Sequence, residues 1–273
     1  MTDLAAPMDE ELEDGCRATT PDGDNLVLDY ARAEAAAFGA LVAANGGRVL
    51  DDDDAGVHLR DLGVASPFGN TALLTGPIAD ADTVAMIGRV RAFFGAGSGG
   101  PFLVFSPWRT VDWSPHGFTR VGHPPLMFRP AGPTSTPPSG LRVERVVDAD
   151  GLADFERTLV EAYPTPEMQP WQRGAFLGPS LLDTGWRLFV GYEGDEAVAT
   201  AAAFVAPTVT IVELVSARPE CRGRGYGAAI TAAATVVEPE RPAMLIASDP
   251  GRGVYDRLGY LPLQRYTLWL GFR

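Results

Sequence analysis

The residues with the clearest chemical potential lie in a glycine-rich stretch, RPECRGRGYGAAI, at positions 218–230. An apolar segment that predicts a strand precedes it, and an alanine-rich segment that predicts a helix follows. Glycines let backbone N–H groups turn inward toward an anion, and a helix directs its positive N-terminus at the same point. Arg222 and Arg224 add positive charge. The stretch therefore predicts a diphosphate cradle, built around three alternating glycines: Gly223, Gly225 and Gly227.

The same residues fit other kinds of site. GRGYGA matches the dinucleotide-binding pattern G-x-G-x-x-A, and Asp249 follows about where an acid would bind a ribose. Residues 218–221 separate the predicted strand from the glycines, however, and the chain after Asp249 is too short for the further units of a doubly wound sheet. An RNA-binding Arg-Gly stretch is disfavoured, because it occurs once, in an acidic chain, without an aromatic platform. A structural turn that holds no ligand stays open.

The composition excludes several classes of protein. A formal net charge of −13 disfavours nucleic acid as a partner and favours a neutral or cationic one. Lysine is absent, which removes the Walker A phosphate loop. No apolar run approaches the roughly 18 residues of a membrane span, and the acidic N-terminus lacks the cationic start of a signal peptide. Because the chain has two cysteines, Cys16 and Cys221, we expect a reducing, cytoplasmic setting. The three histidines show no metal-ligand spacing, and no metal site is predicted.

Proline, glycine and small polar residues at 131–140, AGPTSTPPSG, predict a linker near the middle of the chain. We expect an acidic flexible tail at 1–24, a first domain at 25–130 and a second domain at 141–273. Within the second, the patterns predict a mixed α/β sheet. Strands are expected in LRVERVV, WRLFVGYEGDEAVATAAAFV (two), VTIVELVSA, AMLIAS and LQRYTLWL. Helices are expected in DADGLADFERTLVEAY, in YGAAITAAATVV, and in DPGRGVYDRLGY with Asp249 as N-cap and Gly259 as terminator.

The first half repeats the end of this pattern. A predicted strand ends at Ser106, and Gly117 follows 11 residues later; the same spacing joins Ser248 to Gly259. This shared order of strand, short helix and Gly-aromatic pair predicts an ancient duplication. Seven residues after the two serines lie Trp113 and Tyr255. Where the second half has its glycines, the first has Asp80 and Asp82, whose carboxylates would repel a phosphate. The first half is therefore predicted to be a copy without the anion site.

The second half resembles the GCN5-related N-acetyltransferase (GNAT) family, which binds acetyl-CoA. The family motif Gln/Arg-x-x-Gly-x-Gly/Ala is matched by the six residues Arg222 to Gly227, and VYDRLGY resembles the family's Leu-Tyr-x-x-x-Gly-Phe signature. The resemblance covers about Leu141 to the C-terminus. It implies two tandem acyl-CoA N-acyltransferase-like domains, of which the first is degenerate.

The resemblance also implies roles for the matched positions. The pantetheine arm would pair with the strand backbone at Val215, Ser216 and Ala217, and the pyrophosphate would rest on loop amides from Arg222 through Gly223, Arg224, Gly225, Tyr226 and Gly227 to Ala228. Tyr255 takes the position of the general acid that protonates the CoA thiolate. Glu213, expected to alternate with Val215 and Ala217 on one strand face, is the candidate base for an amine whose ordinary pKa is about 10.4.

These positions predict an N-acetyltransferase that moves the acetyl group of acetyl-CoA to a primary amine on a small molecule or polypeptide. Residues 165–176, TPEMQPWQRGAF, are expected to form the acceptor region. The alternative is a non-catalytic acyl-CoA-binding or protein-interaction module, since it too would need the glycine stretch.

Overall fold

The computed structural model describes residues 25–134, 140–163 and 165–273. The predicted tail at 1–24 and residues 135–139 of the predicted linker lie outside this range. The described residues form two mixed α/β sheets, which confirms the predicted fold class. The α-helices among them are α1 (Leu26–Ala44), α2 (Thr83–Gly95), α3 (Ala149–Ala162), α4 (Tyr226–Thr235) and α5 (Arg252–Arg257).

Six strands form the first sheet. In chain order they are β1 (Arg48–Asp52), β2 (Val57–Asp61), β3 (Asn70–Leu74), β4 (Phe102–Ser106), β5 (Thr119–Gly122) and β13 (Thr267–Gly271). Their order across the sheet is β1-β2-β3-β4-β13-β5. The first three strands are antiparallel, β3 and β4 are parallel, and β13 lies antiparallel between β4 and β5. A parallel pair needs a crossover connection, and α2 supplies it between β3 and β4.

Seven strands form the second sheet. They are β6 (Pro125–Arg129), β7 (Arg142–Arg145), β8 (Trp186–Glu193), β9 (Glu196–Val205), β10 (Thr210–Ala217), β11 (Ala243–Ile246) and β12 (Leu261–Arg265). Their order is β12-β6-β11-β10-β9-β8-β7. Strands β7 to β10 are antiparallel neighbours, and β10 and β11 are parallel, with α4 as the crossover.

The division into two units differs from the linear one predicted from the sequence. Among the described residues, one compact unit contains those up to Leu126 together with Leu263–Arg273, and the other contains those from Met127 to Pro262. The expected single strand LQRYTLWL is two strands, β12 and β13, which belong to different sheets. Alternating apolar residues identify a strand but not its partner, so the sequence pattern could not reveal this.

Helix ends follow local signals, with one correction. Asp148 caps α3 by accepting a hydrogen bond from the Gly151 N–H at 2.8 Å, as the expected Asp start requires. Asp249 does not cap α5, which begins after Gly251. The Gly251 N–H instead donates to Ser248 Oγ at 3.2 Å. Gly259 ends α5 in the left-handed conformation with φ +85°, as predicted.

Each unit has its own apolar core. In the first, α2 packs its Met86, Ile87, Val90 and Phe94 against inward side chains of the sheet and against three tryptophans, Trp108, Trp113 and Trp269. In the second, α4 packs Tyr226, Ile230 and Ala234 against alternate residues of β9, namely Ala199, Ala201 and Ala203. Small side chains at these positions let the helix lie close to the sheet.

Candidate active site

Strand β10 separates from its parallel neighbour at the centre of the second sheet. The register with β11 covers Thr210 and Ile211, whereas β10 continues to Ala217. The pairing with β9 on its other side is interrupted between Glu213 and Ser216. Within this bulge Leu214 has φ +53°, a left-handed conformation that is costly for a branched residue. Residues 212–217 of β10 therefore have no register partner in β11.

The bulge changes which side chains share a face of β10. Directly paired residues of antiparallel strands point to one side. Glu213 pairs with Ala202 and Ser216 with Thr200, so Glu213 and Ser216 share a face. The Thr200 and Ser216 hydroxyls lie 2.7 Å apart. The expectation that Glu213 shares a face with Val215 and Ala217 is therefore wrong, because one extra residue in the bulge reverses the alternation.

The glycine stretch leaves β10 and enters α4. A short 3-10 helix at Pro219–Cys221 is followed by Gly223 with φ +79° and Gly225 with φ +84°. Both conformations favour glycine. Among the described residues, no hydrogen-bond acceptor is found for the amides of residues 223–228, as expected for a turn and the first helical positions. A Cβ atom at Gly223 or Gly227 would meet nothing within 4 Å. The loop thus exposes a run of N–H groups to open space.

The basic side chains of the loop contact the protein itself. Arg222 donates to the carbonyl oxygens of Ala217 and Ala162, at 3.3 and 3.2 Å. Arg224 donates to both oxygens of the Glu193 carboxylate at 2.9 Å, and the Tyr226 hydroxyl donates to the same carboxylate at 2.8 Å. Arg222 joins the strand before the loop to the end of α3. The amides, rather than these guanidinium groups, are the donors that the loop leaves open.

Three titratable groups come together near the bulge. Burial raises the pKa of Tyr255, and the negative charge of Glu213 raises it further. Burial also raises the pKa of Tyr163, again with contributions from Glu213 and from Tyr255. Both phenols therefore stay protonated at neutral pH. Glu213 is partly exposed. The two predicted catalytic residues thus interact electrostatically, and Tyr163, which directly follows α3 and which no sequence pattern marked, interacts with both.

A buried carboxylate orders the segment that follows Tyr163. Glu156 of α3 is 1% exposed. Its oxygens accept hydrogen bonds from the indole N–H of Trp171 and from three backbone amides: Gly174, Phe176 and Leu177, at 2.7 to 3.0 Å. The sequence contained a signal for this residue, since Glu156 lies four positions after Leu152 and three before Leu159 on the apolar face of the helix. A carboxylate there needs partners, and the loop supplies them.

Cys221 is 5% exposed, and burial raises the pKa of its thiol, which does not suit a nucleophile. No group of three or more His, Cys, Asp or Glu residues that could hold a metal ion occurs within the described ranges. None of the helices described has the length and apolar character needed to cross a bilayer.

The corresponding part of the first sheet is built differently. A 3-10 helix at Asp80–Asp82 leads directly into α2, with no glycine turn between them. Strands β3 and β4 stay paired over Thr71–Leu73 of the five residues of β3. Trp113, at the position that corresponds to Tyr255, is fully buried and stacks 6.2 Å from Trp269.

The two mixed sheets and the glycine turn define an acyltransferase-like α/β fold. Residues 151–260 match the model of the Acetyltransferase (GNAT) family. The chain thus carries a GNAT domain at residues 151–260, and its first half also has a GNAT-like fold.

Solved structures share this fold. A GCN5-related N-acetyltransferase from Kribbella flavida superposes with a TM-score of 0.67 at 22% identity, covering 91% of this chain and 96% of that one. A conserved protein of unknown function from Staphylococcus epidermidis superposes with a TM-score of 0.59 at 15% identity, covering 83% and 94%. No curated protein matches the sequence.

Proposed function

We propose that the second half transfers an acetyl group from acetyl-CoA to a primary amine. The observation that carries this proposal is the separation of β10 from β11 after Ile211, directly before a glycine turn with open amides. An extended ligand can pair with the exposed backbone of a strand while its anionic end lies on a helix N-terminus.

Acetyl-CoA has a shape and charge that suit this arrangement. Its pantetheine amides would bond to the backbone at Val215, Ser216 and Ala217. Its pyrophosphate would accept hydrogen bonds from the amides of residues 222–228, over glycines where a Cβ would meet open space. The bulge changes the face on which the side chains of β10 lie, but it does not affect this role, because backbone atoms would make the contacts with pantetheine.

The side chains near the bulge supply the acid and base. Glu213 would take a proton from the acceptor ammonium, directly or through water, since only a neutral amine attacks a thioester. As the carbon–sulfur bond breaks, the Tyr255 hydroxyl would protonate the departing thiolate. Burial and the Glu213 charge raise the pKa of this phenol, which keeps its proton in place until the thiolate forms.

The acceptor would approach beside Tyr163 and the loop ordered by Glu156. The acidic balance of the chain favours a cationic amine, on a small molecule or a polypeptide. A cytoplasmic setting, where acyl-CoA is made and used, accords with the buried free thiol of Cys221.

A thiol-release assay tests the proposal. The protein is incubated with acetyl-CoA and a panel of primary amines, and free CoA thiol is measured together with the mass of the amine product. We expect amine-dependent thiol release and an acetylated amine. Tight CoA binding by calorimetry without release across a broad panel would instead favour the non-catalytic acyl-CoA-binding or protein-interaction module.

A further inference from the structure

The first unit contains a cavity of about 590 Å³ between α1 and the strands β1 and β2. Its apolar wall consists of small side chains, chiefly Ala35 and Ala36 of α1 and Val49 of β1. Its polar wall contains His58, Arg60, Asp51 and Thr75. All of these residues lie far in sequence from the GNAT domain at 151–260. The cavity is of the size that holds small molecules.

His58 is 8% exposed and is held from both sides of its ring. Its Nδ1 lies 2.7 Å from Asp51 Oδ1, and its Nε2 lies 3.0 Å from Thr75 Oγ1. The carboxylate of Asp53 also lies 3.5 Å from Nε2, but its side chain is 91% exposed, so water screens it. Acid, imidazole and hydroxyl therefore form a continuous chain of hydrogen bonds that ends at the cavity.

Arg60 fixes the acid end of this chain. Its guanidinium donates to Asp51 Oδ1 at 2.6 Å and to the carbonyl oxygens of Ala35, Leu50 and Leu59. Burial acts to raise the pKa of Asp51, but hydrogen bonds from His58 and Arg60 and the charge of Arg60 lower it overall. Asp51 is therefore ionised and can only accept a hydrogen bond.

The charge of Asp51 determines the direction of the other hydrogen bonds. Since Asp51 accepts, neutral His58 carries its proton on Nδ1, and Nε2 presents a lone pair. The Thr75 hydroxyl then donates to Nε2. A hydroxyl bonded to a base that a third group orients is the arrangement that activates side-chain nucleophiles.

The residue after Thr75 offers a hydrogen-bond donor that could stabilise the oxyanion of such a reaction. The amide N–H of Gly76 has no hydrogen-bond partner among the described residues. A backbone N–H directly after a nucleophile is a common donor to the oxyanion of a tetrahedral intermediate.

We propose that this cavity is a second reactive site, where the Thr75 hydroxyl attacks short-chain esters with His58 as general base. Asp51 is a positioning residue that holds the imidazole in the required tautomer. The small apolar wall formed by Ala35, Ala36 and Val49 suits a short acyl chain. This activity is independent of acetyl transfer at the GNAT domain, because it uses none of the residues near the glycine loop.

The reaction proceeds in two steps. In the first, a bond forms between Thr75 Oγ and the carbonyl carbon, the ester carbon–oxygen bond breaks, and the hydroxyl proton passes through His58 Nε2 to the departing oxygen. In the second, water gives a proton to Nε2 and attacks the acyl-Thr75 ester, which releases the carboxylic acid and restores the hydroxyl.

Labelling with p-nitrophenyl acetate tests the proposal on the full-length protein. The protein is incubated with the ester, quenched in acid and digested, and the acetylated residue is located by tandem mass spectrometry. We expect an acetyl group on Thr75 and nitrophenol release that depends on it. An unmodified Thr75 in the unsubstituted protein, together with nitrophenol release no faster than in buffer, would overturn the proposal without need of any variant.

Variants distinguish the role of Thr75 as nucleophile from the role of His58 as general base. Thr75→Val should abolish the adduct, Thr75→Ser should retain it, and His58→Gln should slow its formation by about 10²-fold or more. Asp54→Asn serves as the matched control, because it removes an exposed carboxylate of the same turn that makes no contact with His58. Equal labelling rates in His58→Gln and in the unsubstituted protein, or loss of labelling in a folded Thr75→Ser variant, would show that the hydrogen-bonded chain serves stability alone.

Discussion

The two halves of the chain share one order of elements and differ where a ligand would bind. From α1 in the first half and from α3 in the second, the chain continues through an antiparallel three-stranded meander and crosses by a helix to a parallel strand. In the second half the strand β7 precedes α3. Both then reach a left-handed glycine, Gly117 with φ +76° or Gly259 with φ +85°, before a further strand. The backbone plan has been kept, including a turn that sits 11 residues after the matching serine in each half.

The difference lies in a few side chains around the parallel strand pair. The second half has a bulge, a separated strand and a glycine turn. The first half has a more continuous pairing, two aspartates at its helix start, and Trp113 packed where the second half has Tyr255. The same order of elements thus surrounds packed tryptophans in one half and a bulge with a glycine turn in the other. Buried aromatic side chains contribute strongly to a core, through their large area and their ring contacts.

Tyr255→Phe should give the largest effect, a fall in turnover of about 10²–10⁴-fold. The substitution removes the acid hydroxyl and keeps the ring that packs against Tyr260 at 6.1 Å. CoA affinity should stay nearly unchanged by calorimetry. Trp113→Phe is the matched change in the first half, and it should lower thermal stability while leaving turnover intact. Equal turnover in Tyr255→Phe and in the unsubstituted protein would show that Tyr255 is not the general acid.

Gly225→Asp should weaken CoA binding by at least about 100-fold, or roughly 2.7 kcal/mol. It places a carboxylate beside the open amides and a Cβ at φ +84°. Gly140→Asp is the control, since Gly140 has φ +69° and open space around it but lies outside the loop. Isothermal titration with CoA measures both. Normal affinity in a folded Gly225→Asp protein would contradict the assignment of the loop.

Glu156→Gln should raise the KM for the amine about tenfold, equal to roughly 1.4 kcal/mol, with CoA affinity unchanged. The amide would present a donor to N–H groups that now donate to a carboxylate, which loosens the loop at residues 171–177. Glu34, a 2% exposed residue of α1, is the counterpart in the first half. Glu34→Gln should reduce stability without changing this KM. Equal KM values for the amine in Glu156→Gln and Glu34→Gln would show that the loop at residues 171–177 does not bind the acceptor.

The smallest effect concerns alkaline pH. Burial raises the pKa of Tyr163, Tyr255 and Tyr260 above the ordinary value of about 10. Their contribution to stability is complete below pH about 10 and is lost as the pH rises further, because the unfolded chain ionises first. All three lie in the second half. The melting temperature should therefore fall as the pH rises above about 10, and it should fall less steeply in Tyr255→Phe. Identical slopes of melting temperature against pH in the two proteins would show that Tyr255 does not contribute.

Local signals in the sequence sufficed for much of the fold. The glycine turn before α4, the Asp148 cap and the apolar period of α3 were visible in the sequence. The strands of the second half were correctly predicted, except that LQRYTLWL is two strands in different sheets. The bulge at Leu214 was not, because a leucine carries no marker for a left-handed backbone. The sequence also did not reveal which strands pair with each other, such as β13 with β4, because strand pairing depends on the whole chain.

Tyr163 and Glu156 show the same limit at the site. A tyrosine after a helix is compatible with many environments, and only tertiary packing brings its phenol near Glu213. Glu156 did carry a signal, its position on an apolar helix face, but the loop that it binds is separated from it by 15 to 21 residues. The roles of both in catalysis stay predictions.

Strand β13 has a consequence for how the protein is made. Trp269 pairs with Val104, so β4 stays an open edge until residues some 165 positions later in the chain have been synthesised. Nascent first-half chains would present that unpaired edge throughout translation of the GNAT domain. Completion of the first sheet is therefore a late, long-range folding step, which two domains that fold one after the other would not need.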